Sequence, residues 1–498
     1  MRTMATILLA LFAGAPAWAG ESAEAQTPYD VKLAPWPCWR GPYFNGSAPD
    51  QGIELIDDLG KAKLLWKSDV PIPAGHPSKA TRGYWAGGYC SPIVAQGRVY
   101  VAYWTPPGRT DYAWTEADKD PKHSYGRSRN PTNNRDDLTA DDVLHCFDAQ
   151  TGKTIFRTVL SGKGLMRPEC KSGSHLTPCW WDGKVYFSGS AGRNYCIDAT
   201  TGEPLWDAET GMSKTQDAGK KDGKANFRNA NRVNRAAPVA IDDVVAIADG
   251  TTLIGYDAAN GTVLWQTPKM EGNTSVATPW LHGGPSTGSG QAKAYFICKG
   301  RLMEAKTGKV LWAISDPPGA APSAVADDIL VMPNRGGTYR NGMSDEKAPP
   351  KSMTAFRISP EKHEQLWQLA YPTPHGSQGN PGYIYRRYAY GRTYKNPLTG
   401  EREECFVRVP LATGKPEVLA MGHRIAILGY SPIAFEGFLL AGDAKKFLAV
   451  GGAGKPEIKP GPGPAANSTS CAYADGLLYF RTESNTDARL VCYDLHAN

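Results

Sequence analysis

The sequence predicts an all-β fold, an eight-bladed β-propeller of four-stranded antiparallel sheets, and three observations carry that expectation. One pattern recurs along the chain: Asp148-Ala149-Gln150-Thr151-Gly152-Lys153-Thr154-Ile155-Phe156 returns as Asp198-Ala199-Thr200-Thr201-Gly202-Glu203-Pro204-Leu205-Trp206 and as Asp257-Ala258-Ala259-Asn260-Gly261-Thr262-Val263-Leu264-Trp265. It appears once more with Glu304 in place of the Asp, running through Gly308 to Leu311-Trp312. A period of roughly 40 to 60 residues built from short β-type runs implies a stacked array, since one such unit cannot bury its own apolar face. The second observation is that two hairpins accompany each repeat, enough for one four-stranded blade. The third is that the outer strand missing from the last repeat has a match at the other end of the chain.

Each element has a local cause. An alternating apolar run precedes each Asp, as in Val143-Leu144-His145-Cys146-Phe147 and Thr252-Leu253-Ile254-Gly255-Tyr256, and a strand ending in Leu-Trp follows each Gly. Asp at the strand end with Gly three or four residues later suits a tight hairpin, in which Gly takes positive φ and Asp or Thr bonds the turn backbone. Upstream lies a second hairpin, Ser91 to Ala102, with counterparts at Thr177 to Phe187, Ala237 to Ile247 and Ser470 to Phe480. Inner hairpins begin near Cys90, His175, Ala236, Ser275, Ala320, Pro381, Tyr430 and Ser470, which makes eight blades. The sixth, around Gly382 to Tyr385 and Cys405 to Val409, departs most from the pattern, so seven blades also fit. The final unit stops at Val491 to Leu495, and Ala62-Lys63-Leu64-Leu65-Trp66 supplies its missing strand; such a join closes the ring and removes two exposed edges.

Residues 1–19 read as a signal peptide: a charged start, an apolar run from Ala5 to Ala15, and Ala17-Trp18-Ala19 as an A-x-A cleavage site. Residues 20–59 form an N-terminal extension and residues 60–498 a single propeller domain. The expected location is periplasmic or secreted after cleavage near Ala19, with no lipid anchor on the processed N-terminus and no transmembrane segment. The formal net charge of +6 includes Arg2, so cleavage leaves +5, too mild an excess to indicate nucleic acid. The basic stretch Lys214 to Arg235 has Phe227 as its one aromatic and reads as a solvated loop; the polar insert Pro106 to Asp142 reads as a surface excursion within blade 1. Gly and Pro abound because blades need turns, and Trp and Tyr because they fill the spaces between blades.

Ten cysteines in an exported chain permit disulfides. Cys146, Cys196 and Cys492 occupy one repeat position in ring-neighbouring blades, about 10 Å apart, which suits buried thiols and not mutual pairing. Cys170 and Cys179 are close enough in sequence to pair or to remain free.

The Asp-Ala-x-Thr-Gly-x-x-Leu-Trp repeat resembles the tryptophan-docking motif of the pyrroloquinoline-quinone (PQQ)-type propellers, a superfamily that includes quinoprotein alcohol dehydrogenases and the non-enzymatic, BamB-like propeller of the outer-membrane barrel-assembly machinery. Trp39-Arg40-Gly41-Pro42 with Asn45-Gly46 is similar to the start of exported PQQ-binding-like repeat proteins. The resemblance covers nearly the whole processed chain and is specific for fold. It implies that Trp206, Trp265, Trp312 and Trp367, with Gly152, Gly202, Gly261 and Gly308, are structural docking residues on the outer strands and not a stacking floor for a ligand. The dehydrogenase branch implies a quinone over a Trp floor, Ca²⁺ held by Glu, Asn and Asp oxygens, and an Asp base. This sequence contains no Cys-Cys dipeptide and no Cys-x-x-Cys-His for a c-type haem, so PQQ with Ca²⁺ remains an option without those signatures.

Propeller topology places the residues preceding each innermost strand around one mouth of the central channel. Those lead-ins are Tyr89, Ser174-His175, Asn234-Arg235, Asn273-Thr274, His375 with Gln378 and Asn380, Tyr430-Ser431, and Asn467-Ser468. The binding candidates are therefore His175, Arg235, Asn273, Gln378, Asn380, Tyr430 and Asn467. Arg235 offers a planar fork to a carboxylate and His175 a proton exchanged near neutral pH; alternatively they bond one another and channel water. No His-Glu-x-x-His, Cys/His cluster or EF-hand loop marks a metal site. The Gly-rich stretches at 451–454 and 461–464 lack the strand-Gly-helix context of a phosphate loop. The reading is a monomeric exported propeller that binds or scaffolds a protein or small-molecule partner at a ring face or channel mouth. The alternative is a PQQ- and Ca²⁺-dependent dehydrogenase acting on an alcohol or sugar, and no catalytic residue is assigned.

Overall fold

The computed structural model describes residues 27–72, 90–105, 139–165, 177–209, 237–249, 252–267, 276–283, 292–314, 322–333, 352–370, 383–393, 395–403, 405–421, 432–441, 444–450, 457–465, 469–482 and 487–497, with Gly108 and the pairs 220–221 and 224–225. Eight four-stranded antiparallel sheets form the ring, and in seven of them each strand pairs with its neighbour in sequence. Their innermost strands are Ile93–Ala95, Cys179–Trp181, Val239–Ile241, Thr278–His282, Ala324–Ala326, Tyr383–Tyr385, Ile433–Phe435 and Ala472–Ala474, in blades 1 to 8. The seven-blade alternative is ruled out: the divergent sixth unit is complete, with Tyr383–Tyr385, Tyr388–Thr393, Cys405–Pro410 and Glu417–Met421 in register. Blade 8 takes its outer strand, Lys63–Lys67, from the N-terminal side, antiparallel to Leu490–Asp494 with Lys63 opposite Asp494.

Blade 1 differs from the expected boundary of its insert. Thr139–Asp142 are not part of a surface excursion but begin the ten-residue third strand Thr139–Asp148, and Asp141 and Asp142 are buried. Asp142 accepts hydrogen bonds from the Ser190 N–H at 2.9 Å, the Ser190 hydroxyl at 2.6 Å and the Tyr195 hydroxyl at 3.1 Å, so its carboxylate ties blade 1 to blade 2. Sequence periodicity sees only apolar alternation and misses a buried acid that is held by its partners. Within the basic stretch 214–235, Lys220–Lys221 pairs with Lys224–Ala225; its other residues lie outside those described.

Neighbouring blades are joined by one repeated device. Each docking indole donates its N–H to a carbonyl in the next blade's third-to-fourth-strand turn: Trp66 to Ala149, Trp206 to Ala258, Trp265 to Ala305, Trp312 to Ser359 and Trp367 to Leu411, at 2.8–3.2 Å. At four of these joints a turn glycine lies beneath the ring, Gly152 under Trp66, Gly261 under Trp206, Gly308 under Trp265 and Gly414 under Trp367, while the turn met by Trp312 has none. Gly261 has φ +74°, and a Cβ there would come within 2.7 Å of the Trp206 ring, so both conformation and space require glycine. Blade 1 has Phe156 at the Trp position, and the Ala199 carbonyl is taken instead by Arg98 at 2.6 Å and by the Tyr100 hydroxyl at 3.0 Å. The turn Asp caps its own loop: Asp198 accepts from the N–H groups of Thr201 and Thr200 and from the Thr201 hydroxyl, which holds its carboxyl below the usual range.

Cys146, Cys196 and Cys492 are buried free thiols pushed up to about 12, chiefly by burial. Cys179 is also free and buried; Cys170 lies outside the described residues.

Candidate functional site

An innermost propeller strand is paired on one side only, so its other edge faces the axis. Eight such edges would leave a ring of unpaired amides and carbonyls. On blades 1, 2, 6 and 7 this edge is met by the N-terminal segment, which crosses the axis as a plug and is continuously buried from Ala34 to Pro49. Trp36 exchanges two backbone hydrogen bonds with Val94 of blade 1, at 3.1 and 2.8 Å. Trp180 of blade 2 donates to the Pro37 carbonyl at 2.7 Å, and the Ala434 N–H of blade 7 to Gly46 at 2.8 Å, while Ala48 donates back to Ala434 at 2.9 Å. Val94, Trp180 and Ala434 are all the middle residue of their inner strands, and Pro279, which has no N–H to satisfy, lies within the inner strand of blade 4.

The plug spans the depth of the inner strands. At one level Leu33 accepts from Gln96 in the first-to-second-strand turn of blade 1, and Gln51 and Gly52 donate to Glu436 in the same turn of blade 7, at 2.6 and 3.1 Å. At the other level the fully buried Arg40 guanidinium donates to the carbonyl of Ser323, the residue preceding blade 5. Burial lowers this guanidinium to about 10. Arg40 itself adopts φ +79°, next to Gly41 at +75°, where the chain folds tightly around Trp36. The Tyr29 hydroxyl lies 3.3 Å from the Cys179 sulfur, and burial raises both groups.

The same segment also bonds to blades 6 and 7. Asp50 accepts from the Tyr385 hydroxyl and from Arg386, both at 2.6 Å, and the Tyr385 oxygen in turn accepts the Gly437 N–H at 2.5 Å. Blade 6 ends in Glu417–Met421, which contains no docking Trp. The plug thus supplies cross-links where the repeated indole device is missing.

All seven mouth candidates, His175, Arg235, Asn273, Gln378, Asn380, Tyr430 and Asn467, lie outside the described residues. Next to some of them the lead-ins form a described polar belt: Ser91 N–H donates to the Thr177 hydroxyl at 2.9 Å, and Ser470 N–H donates to the Ser91 hydroxyl at 2.8 Å, linking blades 2, 1 and 8. Behind it the buried Arg481 donates to the Cys90 carbonyl at 3.1 Å. Sequence reasoning missed Asp50, Arg481 and the role of the plug. The available signal was a dense aromatic run, Trp36 to Phe44, outside any repeat.

A quinone with Ca²⁺ needs several carboxylate or amide oxygens converging on one point beside a flat ring. Among the described residues no three His, Cys, Asp or Glu side chains come together, and Asp50 and Glu436 are engaged in holding the plug.

The fold and its indole-to-carbonyl joints define an eight-bladed propeller of the PQQ-type repeat class. The family described as outer membrane protein assembly factor BamB matches residues 58–340, more than half of the chain, and the chain belongs to that PQQ-like propeller family. A quinohemoprotein alcohol dehydrogenase, ADH IIB of Pseudomonas putida, is 30% identical over 156 residues, a stretch covering 30% of this chain and 21% of that protein. Among solved structures, BamB from Moraxella catarrhalis aligns with a TM-score of 0.44 at 13% identity, covering 72% of this chain and 93% of that one. The quinohemoprotein alcohol dehydrogenase from Comamonas testosteroni aligns at 0.49 and 12% identity, covering 92% and 80%.

Proposed function

We propose that this protein is an exported binding or scaffold module whose partner, a protein or small molecule, is held at a ring face or at the mouth formed by the lead-ins, with His175, Arg235, Asn273, Gln378, Asn380, Tyr430 and Asn467 as contact residues. The observation that supports this reading is the plug: Trp36 to Ala48 is buried along the inner strands and its backbone groups bond to blades 1, 2, 6 and 7. A partner is then met by the faces and rim and not by the axis. The apolar N-terminal run with its Ala17-Trp18-Ala19 site supports export, and among the described residues no helix is long and apolar enough to cross a membrane.

The second reading, a PQQ- and Ca²⁺-dependent dehydrogenase of an alcohol or sugar, is favoured by the 30% identity to the Pseudomonas putida enzyme over 156 residues. Gel filtration of the processed chain with PQQ, with and without Ca²⁺, separates the two. The binding-module reading expects no retained quinone at micromolar PQQ. Stoichiometric, Ca²⁺-dependent retention would overturn it and put the dehydrogenase first.

A further inference from the structure

A chain of polar groups, buried at its centre, crosses the junction at which the ring closes. Asp69, on the segment leaving the outer strand of blade 8, accepts the N–H and hydroxyl of Thr154 in blade 1, at 2.9 and 2.8 Å. The Thr154 oxygen lies 3.0 Å from His145 Nε2, and His145 Nδ1 lies 3.1 Å from the Tyr103 hydroxyl. Arg157 Nε donates to that same hydroxyl at 3.2 Å. The proton positions follow from the partners. Because the Thr154 hydroxyl spends its one hydrogen on Asp69, it can only accept from His145, which fixes the Nε2–H tautomer and leaves Nδ1 to accept from Tyr103.

We infer that this junction is an acid-sensitive latch: protonation of His145 breaks the hydrogen-bond chain from Asp69 to Arg157 and loosens blade 8 from blade 1. A proton on Nδ1 sets a second donor against the Tyr103 O–H. It also creates an imidazolium beside the Arg157 guanidinium, with the buried Arg481 of blade 8 acting on the same Tyr103. Among the described residues Asp69 is the one opposing charge acting on the ring, and Phe147, stacked at 4.1 Å, offers it no acceptor. His145 is 1% exposed, so water cannot take over the lost bonds without opening the seam.

Burial, with Arg157 second, lowers His145 from 6.5 to about 3. The open form therefore takes up the proton first, and the opening equilibrium grows by about tenfold for each pH unit below the free imidazole value until the closed form also titrates. The latch is fully set above pH 6.5 and weakens progressively toward about 3.

Hydrogen exchange of the intact chain between pH 7 and pH 4, corrected for intrinsic rates, tests this. The expected result is a loss of protection confined to Lys63–Lys67 and Thr154–Leu160 and abolished in His145→Gln, which keeps a neutral side chain of hydrogen-bonding capacity. Loss spread evenly over all blades, or loss at the seam that persists in His145→Gln, would overturn the latch. Should the variant not fold, histidine Cε1–H exchange read by mass spectrometry on the wild-type chain decides alone. A His145 midpoint well below that of a free imidazole supports the latch, and one near 6.5 sinks it.

Discussion

The indole N–H of Trp66 donates to the carbonyl of Ala149 at 3.1 Å, so the first strand of the ring is pinned to the turn of the blade beyond the one it completes. One side chain thereby joins the N-terminal strand, blade 8 and blade 1. The same bond recurs at the other docking tryptophans, but the acceptors are not equally supplied, and that difference is measurable.

The Ala258 carbonyl accepts from both Trp206, at 3.2 Å, and the Tyr186 hydroxyl, at 2.9 Å, whereas the Trp265 indole at 2.8 Å is the one side-chain donor to Ala305 among the described residues. Trp206→Phe keeps an aromatic ring and leaves the acceptor occupied, so it should cost about 1 kcal/mol or less; Trp265→Phe strands a buried carbonyl and should cost about 1–3 kcal/mol. Urea unfolding of the two variants beside wild type gives the comparison. Equal losses would show that indole packing, and not the N–H bond, holds the blades.

Glycine substitutions separate conformation from space. Gly97 has φ +67°, and a Cβ added there would meet nothing within 4 Å, while Gly261 has φ +74° and the Trp206 ring at 2.7 Å. Gly97→Ala should lose about 1–2 kcal/mol from the left-handed backbone alone. Gly261→Ala adds an overpacking cost of about 1–3 kcal/mol to that. Unfolding midpoints of both variants, with the denaturant slope checked for constancy, measure the difference.

The repeat made the blades legible because its signals are local: strand alternation before Asp148, Asp198 and Asp257, a capped turn, a positive-φ glycine and a docking ring each leave a mark within ten residues. The ring closure was legible for the same reason, since Leu64-Leu65-Trp66 carries the pattern of the strand that blade 8 lacks. The plug was not, because Trp36, Arg40 and Asp50 answer to backbone edges and side chains brought together from several blades, a relation with no period in the sequence. Asp142 and His145 were hidden differently: both sit in an alternating apolar strand, where the pattern registers burial but not the partners that make a buried polar group tolerable.

Asp142 gives a direct measure of such a partnership. It is fully buried and accepts three hydrogen bonds from blade 2. Asp142→Asn preserves shape but turns an acceptor into a donor facing Ser190 or Tyr195, and should destabilise by about 1–3 kcal/mol. Tyr195→Phe in the same background should recover part of that loss, which a double-mutant cycle in urea would detect as coupling. Independent, additive effects would mean that the three bonds do not act together.

Burial raises the Cys90 thiol to about 11 and the Cys146, Cys179, Cys196 and Cys492 thiols to about 12. A thiolate is the reactive species, so at pH 8 these groups are both protonated and shielded. The nine described free cysteines should therefore resist a thiol reagent in the folded protein and react together once guanidinium unfolds it. Raising the pH to about 9.5 should leave the native reaction of Cys90, Cys146, Cys179, Cys196 and Cys492 slow, because these five folded thiols lie above that range while unfolded ones lie near 8.5. Asp50→Ala provides the contrast: with Tyr385 and Arg386 released, the N-terminal segment, which carries Cys38 and lays Tyr29 against Cys179, loses its side-chain bonds to blade 6. Those two thiols should then label in native buffer ahead of Cys146, Cys196 and Cys492, as read by peptide mass spectrometry. Uniform labelling of all five would show that removing Asp50 opens the whole ring and not the plug.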